Sequence, residues 1–302
     1  MTQLSIIIPS HNDSFYLEPL FTSILETMIL PLDKFEVIVV NNGSTDTSTE
    51  VIKKYGFREI YLNQKLNPSS ARNLGVSHSL GKLLVFLDSD VVVTKKWAEK
   101  ILELVNKKEC DNIFTGDYYH ISRCPSRIEK IWFSNVYEKD HKYICGGNIV
   151  VSRKIFELVD GFTESLETGE DVDFSNKCSA IGYSPEFDNR LYVYHEGYPK
   201  NISTFIKREI WHGKSDFSSF NKFIKSKVAV LASFFAFLHF SFVFFLSINE
   251  LKLSLLVLIL ILCCCIFVGF KNKALKRVKD FPLVTLISYS YLLGRALSFT
   301  KR

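Results

Sequence analysis

Two stretches toward the C-terminal end constrain this chain more than anything else in it. Val228–Ser247 is twenty residues with one histidine and no acid or base, and Leu253–Phe270 is eighteen residues with no charge. Each is long enough to cross a hydrocarbon core ~30 Å thick at ~1.5 Å per residue. A buried core helix is the alternative reading. Two such stretches, joined by a link whose charges are one Lys and one Glu, favour a helical hairpin through a bilayer. A third stretch, Phe281–Phe299, contains Pro282 and Arg295 and reads equally as a span or as an interfacial helix. Lys222, Lys225 and Lys227 precede the hairpin, and Lys271, Lys273, Lys276, Arg277 and Lys279 follow it. By the positive-inside rule both hairpin ends, and the N-terminal region with them, lie in the cytoplasm. These clusters supply much of the net charge of +5, which suits a membrane surface and anionic lipid rather than nucleic acid. Leu4–Ile8 is too short, and lacks the basic lead, for a secretory signal. The expected location is therefore the cytoplasmic membrane, multi-pass, with a soluble domain over 1–220 in the cytoplasm and a membrane region over 221–302.

The part before the hairpin alternates strand-like and helix-like segments. Leu4–Ile8, Glu36–Val40, Arg58–Leu62 and Leu83–Leu87 are short apolar runs. Ser14–Ile29, Thr47–Tyr55, Ser70–Ser79 and Lys95–Lys107 carry apolar residues at helical spacing or begin with capping side chains. Continuous apolar strands separated by helices predict an α/β fold, a Rossmann-like, mostly parallel sheet with helices on both faces. The seven cysteines show no metal-type spacing, and three of them, Cys263 to Cys265, sit inside an expected span. They read as small apolar fillers in a reducing compartment.

In such sheets ligands bind at the carboxyl ends of the strands. Three polar clusters fall there: His11-Asn12-Asp13 after the first strand, Asn41 to Asp46 after the second, and Asp88-Ser89-Asp90 after the fourth. A lone Asp-x-Asp is usually a solvated turn. After a buried strand in this layout it suits a hard divalent cation such as Mg²⁺ or Mn²⁺, which takes a few carboxylates plus phosphate oxygens and water.

The segments "SIIIPSHND" (5–13), "FEVIVVNNGSTDTS" (35–48), "SSARNLGVSHSLGKLLVFLDSDVVV" (69–93), "CGGNIVVSRKIFELVDGF" (145–162) and "GEDVDFSNKCSAIGY" (169–183) follow one another in a family order. Together they resemble family 2 glycosyltransferases with the nucleotide-binding GT-A fold, in particular membrane-anchored bacterial-type members. The resemblance implies transfer of a sugar, usually with inversion, from a nucleotide-sugar (UDP-, GDP- or dTDP-linked) to an acceptor. It places Pro9 and the turn after it beside the nucleobase. Asn41 stands where the family usually has an aspartate accepting the base N–H; an amide oxygen can accept the same bond. Asp46 would support that loop, and a helix cap is the alternative. Arg72 would hold the base or diphosphate edge, unless it is an ordinary surface residue. Asp88 would bind ribose or a metal-bound water and Asp90 the metal. Gly146, Gly147 and Asn148 would lie under the donor sugar, or form a plain turn. Asp171 matches the catalytic base and Glu170 the acid beside it; acids in a first helical turn also simply complement the helix dipole. His195 is a candidate metal ligand or a structural hydrogen-bonder. Trp211, with Arg208, His212 and Gly213, resembles a segment that closes over the product diphosphate, and equally suits packing at a bilayer surface.

Two other classes fit less well. A nucleotidyltransferase would carry a Gly-rich basic loop where this chain has Ser10-His11-Asn12-Asp13, and an inactive membrane scaffold would have no need of Asp90 or Asp171. A cytoplasmic site tethered to a bilayer suits a lipid-linked glycan or glycolipid acceptor. The Gln-x-x-Arg-Trp signature of processive family members does not occur here, so one sugar per encounter is expected.

Overall fold

The structure, a computed structural model, describes residues 2–107, 110–134, 143–166, 168–217, 219–274 and 276–300. It divides into two compact units, Met1–Arg123 with Val136–Gly197, and Cys124–Asn135 with Tyr198–Arg302.

The first unit is built on the strands β1 (Leu4–Ser10), β2 (Phe35–Asn42), β3 (Arg58–Leu62) and β4 (Leu83–Leu87), which run parallel in the order β3-β2-β1-β4. Successive side chains point to opposite faces of a strand, and here both faces are covered. Leu4, Ile6 and Ile8 of β1 and Leu83, Val85 and Leu87 of β4 enter one core, with Leu17, Leu20, Phe21 and Ile24 of α1 (Ser14–Thr27). Ile7, Leu84 and Phe86 enter the other, with Phe156, Phe162 and Phe174. Helices α2 (Ser48–Tyr55), α3 (Pro68–Ser77), α4 (Lys95–Val105), α5 (Arg153–Leu158) and α6 (Glu170–Ala180) complete the two layers. The strand β8 (Asn148–Ser152) runs antiparallel beside β4, and β6 (Phe114–Gly116) and β9 (Glu186–Phe187) extend the sheet beyond it. A small second sheet, β5 (Val91–Val92), β10 (Val193–His195) and β7 (Tyr119–Ile121), pairs His195 with Val91 and so brings it beside Asp90.

Some boundaries differ from the sequence reading for local reasons. The third helix begins at Pro68, because Asn67 caps it by accepting from the Ser70 N–H and proline suits the first turn. The apolar run Leu191–Tyr194 before His195 reads as a strand, but Asn189–Leu191 forms a 3₁₀ turn capped by Asp188, so the strand starts at Val193.

The second unit contains α7 (Ile202–Gly213), α8 (Phe220–Lys225), α9 (Lys227–Ser247), α10 (Leu251–Lys271), α11 (Phe281–Leu297) and a π-helical turn, Glu129–Phe133. α9 and α10, with mean hydropathy 2.2 and 3.1, are long and apolar enough to cross a membrane. Their inner stripe of Phe235, Leu238, Val257, Ile261 and Cys265 packs with Leu292 of α11, while Phe237, Phe240 and Val243 stay exposed. His239, the one polar ring in the first apolar stretch, shares a 3.0 Å hydrogen bond with the Tyr289 hydroxyl. α11 is 17 residues long and lies against α7, α9 and α10. Its Arg295 donates to the buried Glu209 of α7 at 3.0 Å and to Asp216 at 3.1 Å, and Arg208 donates to Glu209 at 2.6 Å. A buried carboxylate between two guanidiniums is compensated. The arginine that made this stretch ambiguous in the sequence is thus held by protein acids.

Phe86→Ala, which removes a ring packed on Phe156 and Phe162, is expected to lower stability by about 3–5 kcal/mol. Phe15→Ala, at a residue 80% exposed, should change it by less than about 0.5 kcal/mol. Urea unfolding followed by tryptophan fluorescence measures both.

Candidate active site

The strand order changes direction between β1 and β4, and ligand crevices form at such points. Hydrogen-bonded pairing of these strands ends at Ile7 with Phe86. Pro9, which has no N–H to donate, lies just past that point and remains paired only with β2. Beyond it the two chain ends are tied by side chains: Ser89 Oγ donates to Asp13 Oδ2 at 2.6 Å, and the His11 N–H donates to the same oxygen at 3.0 Å. Asn12 adopts φ 59°, a left-handed conformation that asparagine tolerates, and its Oδ1 accepts from the Thr45 N–H at 2.8 Å.

At the end of β2 the structure corrects the reading of Asn41. Its side chain is fully buried. Oδ1 accepts from the Ser44 N–H at 3.1 Å, and Nδ2 donates to Thr49 Oγ1 at 2.9 Å and to Glu59 Oε1 at 2.7 Å. The oxygen expected to meet a nucleobase is committed within the turn. Glu59, on β3, also explains the departure from aspartate: its carboxylate needs a donor there. Asp46 accepts from the N–H groups of Ser14 and Ser48 at 3.0 and 3.1 Å, so it serves the starts of both α1 and α2. Burial pushes its carboxyl up, but the hydrogen bonds from Ser48 and Ser14 outweigh that and hold it below the ordinary value.

The acids after β4 are held in two different ways. Asp88 Oδ1 accepts from Arg72 Nη2 at 2.7 Å, and Oδ2 accepts from the Tyr119 hydroxyl at 2.8 Å. That hydroxyl in turn accepts from the Gly147 N–H at 2.8 Å. A Cβ at Gly147 would overlap the Asp88 carboxylate, so glycine is required there. Asp90 faces His195, with Nε2 3.5 Å from Oδ2, and Gly197 lies so close that a Cβ would overlap the same carboxylate. Burial raises the Asp90 carboxyl; His195 lowers it, and the nearby Asp88 and Asp13 raise it further.

Arg72, on α3, is 3% exposed and connects two acid pairs: its Nη1 donates to Glu170 Oε1 at 2.9 Å while Nη2 holds Asp88. Burial opposes its charge, but Asp88 and Glu170 more than offset this and raise its basicity. The structure therefore spends this guanidinium on protein acids, where the sequence assigned it to base or diphosphate. Beside it, Asp171 Oδ2 accepts from the Gly146 N–H at 3.2 Å at the start of α6. Burial, then the neighbouring Glu170, pushes the Asp171 carboxyl up to about 6. Asn148 is a third correction. It is fully buried, accepts from Trp97 Nε1 at 3.2 Å and donates to the carbonyls of Asp117 and Leu191, so its side chain braces the strand ends rather than facing a sugar. Trp211, on α7 and 46% exposed, belongs to the second unit.

Asp88, Asp90, His195, Arg72, Glu170, Asp171 and Gly146–Gly147 thus form one connected set. The sequence reading missed Tyr119, which orients Asp88, and Glu59, which fixes Asn41. Neither carries a signal, since a tyrosine in "GDYYHIS" and an acid in "REIYL" read as ordinary strand residues. Among the described residues no group of three or more His, Cys, Asp or Glu side chains converges as a self-sufficient metal cage. The Asp90–His195 pair, crowded by Asp88 and Asp13, still fits a cation that completes its shell with phosphate and water.

Residues 5–157 match the model of glycosyl transferase family 2. Glycosyltransferase AglE of Haloferax volcanii is 26% identical over 221 residues, which cover 70% of this chain and 72% of that protein. An uncharacterised glycosyltransferase of Rickettsia bellii is 42% identical over 236 residues; the match covers 70% of this chain but spans 33% of that relative's length. Among solved structures, the mannosyltransferase PcManGT from Pyrobaculum calidifontis, determined with GDP-Man and Mn²⁺, superimposes with a TM-score of 0.60 at 16% identity, covering 99% of this chain and 87% of that one.

Asn41→Asp would set a carboxylate 2.7 Å from Glu59 and is expected to cost at least about 1–3 kcal/mol, with most of the loss recovered in Asn41→Asp/Glu59→Gln. Thermal unfolding of the single and double variants checks this.

Proposed function

This chain belongs to glycosyl transferase family 2, and on that premise we propose that it moves one sugar per encounter, with inversion, from a nucleotide-diphospho-sugar to a lipid-linked glycan or glycolipid at the cytoplasmic membrane face. It is a glycosyltransferase with the GT-A fold. The observation that carries the finer reading is the Arg72 bridge, which holds Asp88, next to the Asp90–His195 pair, and Glu170, next to Asp171, in one network.

In this reading Asp88 and Asp90 face the ribose and diphosphate of the donor. Asp90 and His195, with Asp88 beside them, would hold Mg²⁺ or Mn²⁺, which when bound offsets the charge that grows on the leaving diphosphate. Asp171 accepts the proton of the acceptor hydroxyl as its oxygen attacks the anomeric carbon and the bond from that carbon to the diphosphate oxygen breaks. Its raised pKa suits that task, since a base titrating near working pH both exists deprotonated and holds the proton it takes. Glu170, fixed by Arg72, keeps the start of α6 in place and orients the acceptor. Gly146 and Gly147 would lie under the donor sugar in this reading; both are buried, with Arg72 and Asp88 packed where their side chains would stand. Binding of GDP-Man and Mn²⁺ by PcManGT is in keeping with this donor class and metal. Support for the membrane location comes from the length and hydropathy of α9 and α10 and from the basic residues that flank them.

A base that must be deprotonated gives a rate that falls about tenfold per pH unit below about 6 and levels off above it. Asp171→Asn is expected to lower kcat by about 10²–10⁴-fold and abolish that acidic limb, while nucleotide affinity changes little. Transfer from a nucleotide-sugar, followed by nucleotide release across pH 5–8, tests this. An unchanged acidic limb in the variant would remove Asp171 from the role of base.

A further inference from the structure

Residues 124–134 lie in sequence between strands of the sheet unit but fold with the helical unit. Arg127 and Lys130 from this segment, and Lys276, Arg277 and Lys279 from the link between α10 and α11, line one cavity of about 430 Å³. Among the described residues Asp280 is the one acid in its wall, and it lies 3.6 Å from Arg127 Nη2. Among the described residues, that contact is the only ion pair made by these five cations.

A topology signal explains basic residues that are neighbours along the chain. It does not explain why two segments distant in sequence bring cations to one concavity, where like charges repel unless an anion lies between them. Arg127 and Lys130 were not part of the flanking clusters visible in the sequence. The cavity stands between the end of α10 at Lys271 and the start of α11 at Phe281. If α10 crosses the bilayer, this is headgroup depth. Val278, between Arg277 and Lys279, is 90% exposed, and an apolar side chain among cations is the pattern of segments that rest on an anionic interface.

We propose that this cavity is a phosphoryl-binding site that takes the phosphate or diphosphate of a lipid headgroup at the cytoplasmic face. The two guanidiniums offer paired N–H donors to phosphate oxygens, and the lysines add mobile point charges. The proposal rests on the reading of α9 and α10 as membrane spans and not on the transfer chemistry.

The test uses the full chain in neutral detergent with EDTA, which removes divalent metal from the Asp90 site. Dioctanoyl phosphatidic acid, dioctanoyl phosphatidylcholine and inorganic pyrophosphate are titrated separately by calorimetry. The proteins are wild type, Arg127→Gln/Lys130→Gln/Arg277→Gln, and the charge-preserving Arg127→Lys/Lys130→Arg/Arg277→Lys. Phosphatidic acid is expected to saturate on wild type, to bind the neutralised variant more weakly by on the order of a hundredfold, and to bind the charge-preserving variant within a few-fold. Phosphatidylcholine, whose phosphate is masked by choline, should not saturate. If pyrophosphate alone shows this dependence, the phosphoryl site stands and its lipid source is overturned. If neither anion saturates, or the neutralised variant binds as wild type does, the proposal fails. Nucleotide binding with Mn²⁺ is measured on the same proteins after EDTA is dialysed away, as a fold control, so loss of the transferase reading and loss of this one are told apart.

Discussion

The site depends on one buried guanidinium. Arg72 has both of its terminal nitrogens bound to acids, Asp88 on one side and Glu170 on the other, in a place where solvent does not screen them. Without it, two carboxylates at the ends of different elements would be left partly buried and unpaired, a state that costs about 3–5 kcal/mol where it has been created by mutation in other proteins. Much of the surrounding sequence serves its placement. Asn67 and Pro68 start α3, Asn73 bonds both the N–H and the carbonyl of Phe162, and the Phe162 ring lies 5.6 Å under the guanidinium. Gly146 lacks the side chain that would press on the guanidinium. Because Asp88 is occupied by Arg72 and Tyr119, Asp90 is left as the carboxylate of the pair that answers to His195. Two acids one residue apart in sequence thereby acquire different surroundings.

The parallel half of the sheet was legible because β1, β2 and β4 are buried on both faces and read as apolar runs between helices, while β3, at the edge and partly exposed, was read from its place in that alternation. The antiparallel β8 and the two- and three-residue β5 and β7 were not, since they stand outside the alternation of strand and helix; of β10 the apolar run Leu191–Tyr194 was visible, but not its pairing. They matter nonetheless: β10 brings His195 to Asp90, and β7 brings Tyr119 to Asp88. Position within a motif pointed to Asp88, Asp90, Glu170 and Asp171, and in the structure Arg72 ties Asp88, beside Asp90, to Glu170, beside Asp171. It misjudged Asn41, Arg72 and Asn148, because a motif gives a residue's place and not its hydrogen-bond partners. For Asn41 the deciding partner is Glu59, eighteen positions away, and no local pattern reveals that pairing.

The helical unit shows the same limit in another form. Hydropathy located α9 and α10, since apolar length is a local property. The fate of Arg295 was open until Glu209 and Asp216 were seen to hold it. Likewise the basic cavity takes Arg127 and Lys130 from a segment that composition alone would leave with the soluble domain. In both cases charge that looks unfavourable along the chain is answered, or left available, by residues remote in sequence.

The most direct test of the account is calorimetric binding of UDP, GDP and dTDP to the detergent-solubilised chain, each with and without Mn²⁺, in wild type and Asp90→Ala. Binding of one diphosphate that needs Mn²⁺ and disappears in the variant is the expected result, and it would also identify the donor class. Folded protein that binds none of the three, or that binds equally well without Mn²⁺ and in Asp90→Ala, would contradict the assignment of the β4 acids to nucleotide and metal.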